Sequence, residues 1–83
     1  MKKYMLISVF GREILTEQFD THEEAFKQMK TEMIEQGKVD KEIFDNDEYE
    51  DYDCGFWSDA GYANDGVNHE DCDWRIIKLG DDE

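Results

Sequence analysis

Residues 20–37, DTHEEAFKQMKTEMIEQG, decide how the rest of this chain is read. Thr21 stands where a side-chain oxygen can accept from the first free backbone N–H groups of a helix, and Glu24, three residues on, completes a capping box. Glu23 and Glu24 place negative charge at the positive end of that helix. Phe26, Met29 and Met33 then recur at spacings of three and four, with Ala25 and Ile34 widening the apolar stripe. Gly37 sits where a left-handed residue would stop the helix. The pattern predicts one amphipathic helix from about His22 to Gln36, with a single stripe that needs a sheet to pack on.

Upstream, Tyr4-Met5-Leu6-Ile7-Ser8-Val9-Phe10 is dense in β-forming residues, and Gly11-Arg12 offers a turn into Glu13-Ile14-Leu15-Thr16-Glu17-Gln18-Phe19. A β-hairpin is predicted, although neither parity of its second strand is cleanly apolar. Downstream, Asp40 can cap a short helical turn through Ile43 and Phe44. Trp74-Arg75-Ile76-Ile77-Lys78-Leu79 reads as a last strand, with Trp74, Ile76 and Lys78 on one face and Arg75, Ile77 and Leu79 on the other. Between them, one short strand is expected somewhere from Gly55 to Asn64. The expected fold is α+β: an antiparallel sheet of three or four strands with one main helix across one face. Residues 1–83 form a single domain with an acidic irregular segment over 45–73 and a frayed tail over 80–83.

Charge is distributed unevenly along this chain. The 83 residues carry 23 acidic and nine basic side chains, for a net charge of −14. Residues 1–44 hold nine acids against seven bases, residues 45–73 hold eleven against none, and residues 74–83 hold three against two. A surface of this sign repels nucleic acid and anionic membranes, so direct binding to either is not expected, and an electrostatically chosen partner is basic. The plainer alternative is that the block is a solvated face that keeps the protein soluble. The 13% aromatic content argues for a folded centre rather than a disordered acidic chain.

Within the block, Asp45, Asp47, Glu48, Glu50, Asp51 and Asp53 are interleaved with Tyr49 and Tyr52. Aromatic anchors among steering charges are what protein interfaces use, and these eight residues are the candidate partner-binding set. Phe56 and Trp57 are assigned instead to the core. Two loops are rich enough in oxygen ligands to bear on cation binding. The run from Asp45 begins like a calcium loop, but Tyr49 stands at an oxygen-ligand position and Glu50 at the required glycine. Asn64, Asp65, Asn68, Asp71 and Asp73 form a second oxygen-rich set without defined spacing. Zinc would have to use Cys54, Cys72, His69 and His22, which lack the close Cys-x-x-Cys spacing of a structural knuckle.

No nucleophile elbow, phosphate cradle or paired acid and base with fixed spacing is present, so neither an enzyme nor a cofactor is expected. Two cysteines are too few for a disulfide scaffold, and no apolar run approaches the roughly 18 residues of a membrane span, which points to a reduced thiol pair and a cytoplasmic setting.

The run Ala63-Asn64-Asp65-Gly66-Val67-Asn68-His69-Glu70-Asp71-Cys72-Asp73-Trp74-Arg75-Ile76-Ile77 resembles, in its Asn-Asp-Gly, Asn-His and Asp-Trp pattern, small uncharacterised acidic proteins. That group is carried by integrative conjugative elements and related mobile DNA of Gram-positive bacteria. The likeness covers about a fifth of the chain closely. It implies a cytoplasmic accessory protein of a mobile element, and by analogy a protein that imitates the charge of DNA on a DNA-binding partner. It implies no catalytic residue.

Overall fold

The computed structural model describes residues 2–64 and 71–79. The predicted hairpin forms as β1 (Tyr4–Phe10) and β2 (Glu13–Phe19), joined through Gly11 at φ 63°, a left-handed conformation that a glycine adopts without steric cost. Helix α1 spans His22–Glu35, and a 3-10 turn spans Lys41–Asp45. Three short strands follow, β3 (Tyr49–Glu50), β4 (Cys54–Trp57) and β5 (Ala60–Ala63), and β6 (Cys72–Lys78) closes the order. The class is α+β as the helix pattern implied, but the sheet has six strands, not three or four, in the order β2-β1-β6-β5-β4-β3 with every neighbouring pair antiparallel.

The segment expected to be irregular over 45–73 therefore supplies three strands and the beginning of a fourth. Small residues hide them. Gly55, Ala60, Gly61 and Ala63 break the alternation of large and polar side chains that marks a strand in sequence, and they do so because other groups come close at those positions. A Cβ on Gly61 would lie 2.9 Å from Met33 Sδ, and one on Gly55 would lie 2.6 Å from the Tyr62 ring. The first gap seats the helix on the sheet; the second lets Tyr62 fold across its neighbouring strand.

Helix α1 lies on one face of the sheet and buries Ala25, Met29 and Met33 completely. Below it stand the inward residues of alternating parity, Leu6 and Ser8 on β1 and Cys72, Trp74 and Ile76 on β6, with Phe56 and Ala63 from the outer strands. Val39 and Ile43 complete the core from the chain that follows the helix. The Thr21 hydroxyl accepts from Glu24 N at 3.2 Å, so the forward half of the capping box forms. At the other end the left-handed residue is Lys38, at φ 59°, not Gly37. Gly37 is required for closeness instead: a Cβ there would lie 2.8 Å from Ala63 Cβ and 2.8 Å from the Met33 carbonyl.

One further assignment changes. Phe56 is a core residue at 1% exposure, but Trp57, one residue on, points to the opposite face of the sheet beside Tyr62, with ring centroids 5.8 Å apart. Cys54 and Cys72 both face the helix, with Ala63 of β5 between them in register. Two strand spacings put their Cα atoms about 9.6 Å apart, beyond the reach of about 7 Å that a disulfide allows. The paired thiols are thus structurally separate.

One polar group ties the layers together. The Glu32 carboxylate accepts from the Ser8 hydroxyl at 2.6 Å and the Trp74 indole N–H at 3.0 Å through one oxygen, and from the Gln28 amide at 2.9 Å through the other. Ser8 and Trp74 are each 2% exposed, so no water replaces these contacts cheaply. Glu32→Ala is expected to cost about 3 kcal/mol by stranding two buried donors, and Glu32→Gln, which keeps an acceptor, about 1 kcal/mol. Urea unfolding followed by tryptophan fluorescence measures both; equal losses for the two variants would refute the role given to the acceptor.

Candidate functional site

The acids of residues 45–53 lie around the outer end of the sheet, where β3 forms the edge. The 3-10 turn begins at Asp40, whose side chain accepts from Glu42 N at 3.0 Å, and ends at Asn46, whose backbone and side-chain amides both bond the Ile43 carbonyl. These caps close the turn on itself, and Phe44 packs it on β4 with its ring centroid 4.7 Å from that of Phe56. A cavity of about 380 Å³ opens between the turn and strands β3 and β4, lined by Asp40, Glu42, Ile43, Asn46, Tyr49, Asp51, Asp53 and Cys54. Four carboxylates enter this groove, no Lys or Arg does, and an aromatic ring forms part of its wall.

Of the eight residues expected to bind a partner, the structure gathers Tyr49, Asp51 and Asp53 into the groove. The Tyr49 ring is half-buried against the core, and its hydroxyl donates to Asp51 Oδ2 at 3.1 Å. Asp51 is also a hinge of the local backbone: its other carboxylate oxygen accepts from Tyr52 N at 2.7 Å, and its carbonyl accepts from the Tyr62 hydroxyl. Asp53 holds the next strand through a 2.7 Å bond from Asn64 N to its carbonyl. Tyr52 projects into solvent, 88% exposed, at the rim. Asp45, Asp47 and Glu48 are exposed on the approach to β3 but do not line the groove. Glu50 is separated from the others, since it alternates with Tyr49 and stands on the face of the sheet away from the helix.

Asp40 and Glu42 belong to the groove and were not singled out by sequence. They lie in a stretch where Lys38 and Lys41 balance them, so their charge disappears in any local count. The signal that could have found them is the capping role of Asp40, which places the start of a tight turn next to the acidic run.

The groove leaves its mark on two titrating groups. The Tyr49 hydroxyl is held above its ordinary pKa, first by donating its proton to Asp51 and then by the negative charge of that carboxylate. Cys54 is also raised, first by burial and then by the charges of Asp51, Asp53 and Asp40. The hydrogen bond on Tyr49 and the burial of Cys54 act first, and the surrounding carboxylates add to both shifts; by the same field, an ammonium or guanidinium placed there is favoured.

The alternative cation sets do not come together among the described residues. Of the cation set, Asp65 and Asn68 lie outside the described residues. Asn64 donates its amide to the Tyr52 carbonyl at 3.2 Å, and Asp73 stands on the sheet face opposite the helix. Among the described residues no three His, Cys, Asp or Glu side chains are grouped to hold a metal ion. His22, weighed for zinc, donates from Nε2 to the Ser58 carbonyl at 2.6 Å and stacks on Phe26, which pins the start of α1 to the β4–β5 turn; His69 lies outside the described residues. No helix among the described residues is long and apolar enough to cross a membrane. Comparisons of the chain with protein-family models, curated proteins and solved structures give no match.

The raised Cys54 pKa has a checkable sign. Because the thiolate is the reactive species, Cys54 in a Cys72→Ser background should be alkylated more slowly near pH 8 than a free thiol of ordinary pKa, by more than exposure alone accounts for. Asp51→Asn with Asp53→Asn should lower the pKa and speed the reaction at that pH. A pH–rate profile of iodoacetamide labelling reads the shift directly; no movement of its midpoint in the double variant would show that burial acts alone.

Proposed function

We propose that this protein is a non-enzymatic binding module that takes a basic partner at the β3 end of its sheet, and that a Lys or Arg side chain of the partner enters the groove between the 3-10 turn and β3. The carrying observation is the composition of that groove: Asp40, Glu42, Asp51 and Asp53 around the half-buried Tyr49, with no cation in its lining. The outer carboxylates of Asp45, Asp47 and Glu48 steer the approach, and Tyr52 at the rim supplies apolar area and a π face for a guanidinium. The net charge of −14 extends the attraction over the whole molecule.

Among basic partners, a nucleic-acid-binding protein suits the charge best, because such a protein already presents cations spaced for phosphates. The resemblance of the 63–77 run to acidic accessory proteins of mobile elements supports that choice and a cytoplasmic encounter. On this reading the protein competes with DNA for the partner and does not touch DNA itself.

A short Arg-rich peptide serves as probe. Its affinity by fluorescence anisotropy should fall at least about tenfold between about 50 and 300 mM salt. The variant Asp40→Asn/Glu42→Gln/Asp51→Asn/Asp53→Asn should weaken it by a further factor of about ten at low salt while far-UV circular dichroism is unchanged. A second variant, Glu13→Gln/Glu17→Gln/Asp20→Asn/Glu23→Gln on exposed positions from β2 to the start of α1, removes the same four charges away from the groove and controls for loss of charge in general. Equal losses from the two variants would mean that net charge, not the groove, attracts the probe.

A further inference from the structure

The face of the sheet turned away from α1 is nearly free of the charge that covers the rest of the molecule. From β1 it presents Met5, Ile7 and Val9; from the neighbouring strands come Ile14 and Thr16, Ile77, Ala60 and Tyr62, and Trp57. Ile14 is 67% and Ile77 38% exposed. Of the 23 acids in the chain, only Glu50 and Asp73 project from the described strands onto this face, and Arg75 is its one strand-borne cation. An antiparallel sheet with one face packed normally turns polar side chains to water on the other. Here that face has the composition of an interface centre: charge is depleted, and Trp, Tyr, Met and Arg are present. A groove of about 370 Å³ runs over it between Ile7 and Val9 on one side and Trp57 and Tyr62 on the other.

The pairing register shows what fits there. Two rows cross the strands side by side. One contains Thr16, Ile7, Arg75, Ala60 and Trp57; the next contains Ile14, Val9, Asp73 and Tyr62. A two-fold axis lying between the rows, across β6 at the level of Trp74, exchanges them. Ile7 of one copy then meets Val9 of the other, Ala60 meets Tyr62, and each Arg75 meets an Asp73. Neither Arg75 nor Asp73 has an ion pair with a described residue of its own chain, where the only ion pair found is Lys2–Asp20 at 3.7 Å. The molecule measures 40 by 29 by 17 Å, and a standard interface takes about 800 Å² per partner.

We infer that two copies of this chain pack face to face through the open sheet, with Arg75 of each paired to Asp73 of the other. Sheets so packed lie about 10 Å apart with their strands nearly aligned, a separation that Arg and Asp side chains span together. The arrangement is independent of the acidic groove, which opens on the helix side of the β3 edge, so a dimer presents two grooves.

Like charge of −14 on each copy opposes association, so the dimer must tighten as salt rises, the reverse of the dependence expected for a basic ligand in the groove. Sedimentation equilibrium of the full chain should show a monomer–dimer equilibrium that shifts toward dimer between about 50 and 500 mM salt. Arg75 and Asp73 are both exposed, so changing either leaves the fold intact, which near-ultraviolet circular dichroism checks. Arg75→Asp and Asp73→Arg should each weaken the dimer at least about tenfold by setting like charges opposite one another, and the double variant should restore it. A monomer at every salt concentration overturns the inference. So does a dimer indifferent to the single changes, or a double variant no better than either parent; the indifferent dimer would place the contact elsewhere, such as along the exposed edge of β2.

Discussion

The carboxylate of Glu32 is the contact on which the arrangement of layers depends. Hydrophobic burial alone would let α1 slide along the sheet, because Met29 and Met33 are flexible and fill whatever space they meet. A half-buried anion that accepts from Ser8 on β1 and Trp74 on β6 has one good position. It fixes the helix across the junction between the hairpin and the last strand. The glycines then become intelligible, since Gly37 and Gly61 are the places where the helix, held in that position, comes too near for a Cβ. The same register brings Val39 and Ile43 down into the core and so sets the 3-10 turn beside β3, where Asp40 and Glu42 meet Asp51 and Asp53.

The molecule divides its chemistry by direction. The helix side of the β3 edge is anionic and concave. The face opposite the helix is apolar and almost uncharged, although the chain as a whole carries 39% charged residues. Alternation along the strands is what permits this. Tyr49 and Glu50 are adjacent in sequence yet serve opposite faces, and so are Phe56 and Trp57. A charge run read as one block is therefore two surfaces once it is paired into a sheet, and some of its members belong to neither.

What could be read from the sequence follows the strength of its periodicities. The helix was legible because Thr21 and the Met29–Met33 stripe agree with one another, while Gly37 stands near its end for packing and not as the left-handed stop. The first hairpin and β6 were legible from their β-branched and aromatic runs. Of β3 to β5 only one short strand, somewhere from Gly55 to Asn64, was legible, because Gly61 and Ala63 are small where Met33 and Gly37, distant in the chain, come close, and distant contacts leave no local pattern. The acids of 45–53 argued correctly against a helix, where they would crowd one face; in extended chain they alternate, and an edge strand tolerates them. The candidate groove was half visible. Tyr49, Asp51 and Asp53 stood out by composition, whereas Asp40 and Glu42 join them only through the turn that Asp40 caps.

The strand order has a consequence for how the protein is made. β2-β1 and β5-β4-β3 are two separate ribbons joined through β6 alone, and β6 is synthesised after both of them. Until it emerges, β1 and β5 each offer an unpaired edge, and the helix has no Trp74 to receive. An incomplete chain of this kind is prone to stick to its neighbours. By then, however, the ribosome has already delivered the carboxylates of residues 40–53, which crowd the second ribbon with like charge. Whatever these acids attract in the finished protein, they also keep nascent chains apart while the sheet waits for its central strand.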